Sequence, residues 1–308
     1  MTDPQNWERQ TLEKLAFSAL QEQRRSRNWG IFFKTLTLIY LFALLFIAMN
    51  WIAPGGSIGP HTALIDINGE IGVGAEVNAD NTLSSLRAAF EDKHTKGIIL
   101  RINSPGGSPV QAGIINDEIH RLRKEYPKVP VYAVVEDICA SGGYYIAVAA
   151  DKIYVDKASI VGSIGVLMDG FGFTETMKKL GVERRLLTAG KNKGFMDPFS
   201  PINPEHKEHA LEMLNEVHQQ FIKVVRDGRG NRLHETPDMF TGLFWSGEKA
   251  VEMGLADGIA NSDTVAREMI KEENIVDFTT HEGLADRFAK HFGASAAHAL
   301  LGSNIGMK

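Results

Sequence analysis

From Thr35 to Ile65 the chain has no Asp, Glu, Lys or Arg, and within that stretch Leu36 to Ala53 reads LTLIYLFALLFIAMNWIA. About 20 apolar residues in a helix cross about 30 Å of hydrocarbon, so this run predicts one membrane-spanning helix. Trp29 and Trp51 bracket it. On a helix rising about 1.5 Å per residue they lie roughly 33 Å apart, a spacing that suits aromatic side chains at the two interfaces. Lys34, near one end, can extend its ammonium to the headgroups. Arg24, Arg25, Arg27 and Lys34 precede the span, and no Lys or Arg follows it until Arg87. The positive-inside rule therefore sets the N-terminus in the cytoplasm and everything after Pro54 outside it. A cleaved signal peptide is the alternative. The length of the run, the long polar segment before it and the lack of a clean small-x-small site stand against that.

Of the 308 residues 44% are apolar and 23% charged, an ordinary globular balance. The net charge of −5, with no continuous basic stripe, excludes a general nucleic-acid binder. Cys139 is the single cysteine, so no intramolecular disulfide holds the fold. There is no HExxH or comparable ligand spacing, and no metal or other cofactor is expected.

Residues 1–28 are polar, with a short amphipathic helix expected at 12–21. Residues 54–61 contain the Gly/Pro-rich linker PGGSIGP. Beyond it strands and helices alternate. Strands are expected at 63–68, 97–102, 129–135, 152–155, 163–168 and 182–187. Helices are expected at 82–91, 111–126, 141–150 and 174–180. That order predicts an α/β domain with a mainly parallel sheet. A long helix at 204–229 follows, with Asn203 as N-cap. Further helices are expected at 246–253 and 265–272, a strand near Ile275, and an amphipathic stretch at 285–301.

Three Gly-rich segments stand out: Asn103-Ser-Pro-Gly-Gly-Ser108, Cys139-Ala-Ser-Gly-Gly-Tyr144 and Val161-Gly-Ser-Ile-Gly165. The first two follow a strand and open a helix. Ser141 at such a turn presents its Oγ at the carboxyl edge of the sheet, near helix N–H groups. Gly142 and Gly143 let a substrate backbone approach. Gly106 and Gly107 can aim N–H groups at the same point, the makings of an oxyanion hole. Tight turns serving only helix-on-sheet packing account for the same residues equally well. No GxxxxGK[ST] supports a phosphate loop. A serine nucleophile needs a base, and histidine is the usual one. His206, His209 and His218 fall on the polar long helix, where solvated surface positions are expected. Lysine serves when burial lowers its pKa toward neutrality. Lys191 and Lys193 lie in the loop Ala189-Gly-Lys-Asn-Lys-Gly-Phe-Met-Asp-Pro198 and by spacing alone read as surface lysines.

Taken together, Arg101-Ile-Asn-Ser-Pro-Gly-Gly107, Ala140-Ser-Gly-Gly-Tyr-Tyr-Ile-Ala147, Gly162-Ser-Ile-Gly-Val166, Gly190-Lys-Asn-Lys-Gly-Phe-Met-Asp-Pro198 and Trp245-Ser-Gly-Glu-Lys-Ala-Val-Glu-Met-Gly-Leu-Ala-Asp257 resemble the S49 signal peptide peptidases, the SppA and SohB group of protease IV enzymes. The likeness spans about residues 62–274, and the order and spacing match the short single-domain form. One departure is Gly-Leu-Ala-Asp257 where Gly-Leu-Val-Asp is usual. The resemblance implies a ClpP/crotonase-like fold at 62–274; the transmembrane helix at 29–53, read from the apolar run, precedes it, and the tail at 275–308 lies outside the secure match. It implies a Ser–Lys dyad with Ser141 as nucleophile and Lys193 as general base, Lys191 being a neighbour without that role. Gly107 and Gly142 would form the oxyanion hole with Gly106 in support, Ser163 would orient the lysine, and Ile164 and Gly165 would pair with an extended substrate. The implied substrates are cleaved signal peptides and similar membrane-proximal peptides. The implied setting is the bacterial inner membrane, with a homo-oligomeric ring whose Ser and Lys come from neighbouring subunits. A crotonase-like binding or scaffold domain, and a ClpP-type Ser–His–Asp peptidase, are the rival readings.

Overall fold

The structure, a computed structural model, describes residues 4–52 and 59–280. The chain divides into two compact units, residues 1–56 and 57–308. The described residues of the first form one helix, α1 (Pro4–Ile52). The sequence suggested a short amphipathic helix followed by a separate span, but no helix breaker lies between them, so one helix runs through both. Its stretch Gln21–Phe46 is long and apolar enough to cross a membrane. Trp29 stacks on Phe33 at 5.6 Å and meets Phe32 edge-on at 5.7 Å.

The second unit is built on one eight-stranded sheet. Its strands are β1 (His61–Asn68), β2 (Thr95–Ser104), β3 (Val131–Ala140), β4 (Lys152–Val155), β5 (Ile160–Gly162), β6 (Phe244–Ser246), β7 (Gly258–Ile259) and β8 (Ile275–Asp277). The main path runs β6-β5-β3-β2-β1-β8, and β4 and β7 branch from β3. Every pairing is parallel except β5 with β6. β3 is long enough to pair with β4 through Tyr132–Val134 and with β5 through Ile138–Ala140, so the sheet forks there.

Side chains alternate along each strand. Ala63, Ile65, Ile67, Ile98, Leu100, Ile102, Ala133 and Val135 face the larger core. Leu64, Ile99, Val134 and Tyr154 face the other way, with Val265 and Ala266. The central strands are thus buried on both faces, as parallel strands require. The large core is covered by α2 (Ala79–Glu91), α3 (Pro109–Glu125), α4 (Gly142–Ala147) and the C-terminal half of α6 (Pro204–Arg229). The exposed helix α5 (Thr174–Lys179) lies between α4 and α6 in sequence, and α7 (Gly247–Glu252) and the single turn α8 (Ser262–Thr264) follow. Asn203 caps α6 as expected, its Oδ1 accepting from Glu205 N at 2.9 Å, with Pro204 in the first turn.

The α/β class, the mainly parallel sheet and the apolar N-terminal helix agree with the sequence reading. Several details do not. The strand expected at 163–168 forms three residues earlier, as β5. Residues 182–187 join no sheet; Val182, Leu186 and Leu187 are exposed, and no strand edge meets them. The helix expected at 141–150 is complete by Ala147, and that at 265–272 is a π-helical turn at Val265–Ile270. The linker at 54–58 and the amphipathic stretch at 285–301 lie outside the described residues.

Candidate active site

Ser141 joins β3 to α4 with φ 51° and ψ −119°, a conformation that non-glycine residues rarely adopt. Such strain persists only where the surroundings enforce it. Here Ser141 N donates to Gly162 O at 2.9 Å and Ser141 O accepts from Tyr145 N at 2.9 Å. The turn is therefore tied to β5 on one side and closed into α4 on the other. Behind it Tyr144, fully buried, donates its hydroxyl to Leu255 O at 2.8 Å, and Asn116 of α3 donates to Tyr145 O at 2.7 Å. Burial pushes the phenol of Tyr144 and the thiol of the adjacent Cys139 up, so both stay neutral and serve packing.

The Pro-Gly-Gly loop lies in backbone contact with this turn. A Cβ added to Gly106 would come within 2.7 Å of Gly142 N and 2.7 Å of Ser141 Cβ; one added to Gly142 would lie 3.3 Å from Gly107 N. Gly106, Gly107, Ser141 and Gly142 are thus gathered at one point. Two residues to which the sequence assigns no role hold them there. Buried Ser104 donates to Gly69 O at 2.6 Å and accepts from Gly106 N at 3.1 Å. Ile71 brackets the loop, its N–H donating to Gly106 O at 2.8 Å and its carbonyl accepting from Ser108 N at 2.7 Å. Gly107 has φ 141°, and a Cβ there would fall 2.1 Å from Ile71 O, so no larger residue fits. The only local signal for Ile71 is its place three residues after β1.

Ser163 follows β5 with φ 52°, its N–H donating to Leu243 O at 2.7 Å. Ile164 is fully buried, and its carbonyl accepts from His218 Nε2 at 3.2 Å. His218 is therefore half-buried and engaged, contrary to the solvated position expected of it. The backbone pairing of β3 with β5 ends at Ala140 and Gly162, so Ser141 and Ser163 each follow the last paired residue of adjoining strands.

Lys193 sits in a turn, its N–H donating to Gly190 O at 3.1 Å, and it is exposed. Among the described residues no side-chain hydrogen bond joins it to Ser141. Its loop is held through its neighbours. Lys191 pairs with Glu205 at 3.0 Å, Asn192 Oδ1 meets His206 Nε2 at 3.3 Å, and the Phe195 ring lies 5.2 Å from His206 and 5.8 Å from His209. Among the described residues no cluster of His, Cys, Asp and Glu could hold a metal ion.

Comparison with known proteins bears on this arrangement. The family model "Peptidase family S49" matches residues 123–276, half of the chain, and that stretch contains Ser141, Ser163 and Lys193. A Brucella abortus protein named Na(+)/H(+) antiporter NhaA is 46% identical over 187 residues, which is 61% of this chain and 25% of that one. The chain thus spans about a quarter of that relative's length. A putative signal peptide peptidase SppA of Enterococcus faecium is 32% identical over 207 residues, covering 67% of this chain and 60% of its own. Among solved structures, a variant of the 1510-N membrane-bound stomatin-specific protease in complex with a substrate peptide aligns at 15% identity and a TM-score of 0.44. That alignment covers 77% of this chain and all of the other. On the family model's match across half of its length, the chain belongs to peptidase family S49.

Proposed function

We infer that the chain is a membrane-anchored serine endopeptidase with Ser141 as nucleophile and Lys193 as general base. The observation that carries this is the strained Ser141 turn in backbone contact with the Gly106-Gly107 loop. An attacked carbonyl at Ser141 would place its developing oxyanion beside the N–H groups of Gly107 and Gly142, donors already fixed before reaction. Neutral Lys193 takes the Ser141 proton, Ser141 Oγ adds to the scissile carbonyl, and the amine leaves with a proton from the lysine. Water activated by Lys193 then releases the acyl group. Ser163 orients the lysine, and Ile164 and Gly165 pair with the extended peptide.

Lys193 is exposed in the single chain, so the desolvation a lysine base needs has to come from a covering surface. A second copy in a homo-oligomeric ring supplies it in this reading. Residues 29–53 anchor the chain in a bacterial inner membrane with the catalytic domain outside the cytoplasm. The substrates are remnant signal peptides and similar membrane-proximal segments. The name of the Enterococcus relative supports that class.

The test is covalent labelling by a fluorophosphonate in detergent-solubilised protein. Ser141 should be labelled and S141A should not. S141A and K193A should each lose roughly 10³-fold or more of peptidase activity while the assembly survives. Full activity in K193A would remove the dyad and favour a histidine base. Unchanged function in S141A would favour a crotonase-like binding domain.

A further inference from the structure

One helix, α6, meets three parts of the proposed site. The C-terminal half of α6 lies on the nucleophile helix, Phe221 packing on Tyr145 with ring centroids 5.0 Å apart. Its first turns hold the Lys193 loop through Glu205, His206 and His209. Between them His218 reaches the Ser163-Ile164-Gly165 segment, with Nε2 at 3.2 Å from the Ile164 carbonyl oxygen. A carbonyl oxygen only accepts, so His218 Nε2 must carry the proton and donate. The contact joins residues 54 apart in the chain and is partly shielded from water.

The segment it grips is fixed at four points: the Ser163 N–H on Leu243 O, the Ile164 side chain in the core, the Ile164 carbonyl on His218, and the Gly165 N–H on Ser163 O at 2.9 Å. Beyond Gly165 the chain has no regular structure as far as Phe173, and Leu167 and Phe171 are exposed. The His218 bond is therefore the last point fixed from the α6 side before the backbone leaves the sheet. The Ile164–Gly165 peptide plane is thus held at both of its polar groups, and freeing the Ile164 carbonyl would leave only the short-range bond from the Gly165 N–H to Ser163 O to set the groups offered to an extended peptide.

We propose that His218 is a positioning residue that sets the peptide plane of Ile164–Gly165 and so tunes the affinity of the site for extended peptide. The proposal rests on reading Ser163–Gly165 as the peptide-pairing edge. A backbone contact made alike in the bound and transition states affects KM and leaves kcat.

The experiment uses the full-length chain in detergent and a fluorescein-labelled apolar peptide resembling a signal-peptide core. Binding is read by anisotropy in the S141A background, with and without H218L or H218Q. Turnover is read in otherwise wild-type protein, and melting in every variant. H218L should weaken peptide binding and raise KM about 3- to 10-fold, the span of one hydrogen bond, with kcat within about twofold. H218Q, whose side-chain amide can donate at similar reach, should return both to within about twofold. Unchanged Kd and KM in H218L would overturn the proposal. So would H218Q losing as much as H218L in parallel with melting temperature, which marks a purely structural role, and so would no peptide binding in S141A. Failure of the Ser–Lys reading shows separately, as full activity in K193A, and the binding arm in S141A still reports on His218.

Discussion

Arg229 is 1% exposed on α6, yet it carries a full charge into the interior. Its Nε donates to Gly254 O at 2.7 Å and its Nη1 to Asp257 Oδ2 at 2.7 Å; Nη2 is buried with no hydrogen-bond partner among the described residues. Asp257, 11% exposed, also accepts from Ile153 N at 2.7 Å and from Arg232 at 3.1 Å. Leu255, two residues before Asp257, supplies the carbonyl that holds Tyr144. The block Trp245 to Asp257 noted in the sequence thus serves as a clamp behind the nucleophile helix. D257N would leave Arg229 buried and underpaired, which costs about 3–5 kcal/mol when a buried pair is broken. Urea unfolding of the solubilised chain should show that loss, and R229M a smaller one, because Asp257 keeps Arg232 and the Ile153 N–H. Burial pushes the Asp257 carboxyl up, but the Arg229 hydrogen bond, the Ile153 N–H and the charges of Arg229 and Arg232 outweigh it and hold it below the usual carboxylate range. A depressed native pKa stabilises fully above the unfolded value, about 3.9, and the gain is lost as pH falls through the native value. Melting of the wild type should therefore drop more steeply than that of D257N below about pH 4.

At the scale of elements, the Lys193 loop has no regular structure and depends on α6 for its place. The Lys191–Glu205 pair is exposed on both sides, so K191A should change stability by less than about 1 kcal/mol and leave activity near wild type. Phe195 is different. Its ring is half-buried between His206 and His209 and is the loop's one apolar attachment to α6 among these contacts. F195A should lower kcat about 10-fold through misplacement of Lys193, with melting temperature nearly unchanged. Equal losses in kcat and melting temperature would show that Phe195 serves the fold instead. The same elements show what the sequence could tell. α3 and α6 were legible because apolar period and capping residues are local, as with Asn203 and Pro204. β5 and β6, three residues each, were not, since such short strands exist only through the partners that pair with them. Val182, Leu186 and Leu187 have strand-like composition but find no edge. His218 reads as polar surface because its partner lies 54 residues away. The Ser141 turn, by contrast, was marked by residues that the backbone there demands.

For the whole molecule, two features of the peptidase unit have one resolution. Between Val166 and Ile202 the chain exposes Leu167, Phe171, Leu180, Leu187 and Ile202, with Leu187 95% exposed, apolar side chains that a partner surface would cover. Lys193 lies within that same stretch, exposed, when its proposed role needs a desolvated amine. A neighbouring copy covering the segment would bury the apolar side chains and dehydrate the lysine in one step. A head-to-tail contact repeated around a closed ring would do this for every subunit. If Ser141 of one copy works with Lys193 of the next, two inactive proteins can repair each other. S141A and K193A, each inactive alone, should regain activity when dissociated, mixed in equal amounts and reassembled. With random mixing, about a quarter of the sites would join an intact Ser141 to an intact Lys193, and activity should approach about a quarter of wild type. A mixture that stays inactive, although cross-linking shows mixed assemblies, would place both residues of each site in one chain. The covering surface would then have to dehydrate a lysine that meets its serine within the same subunit.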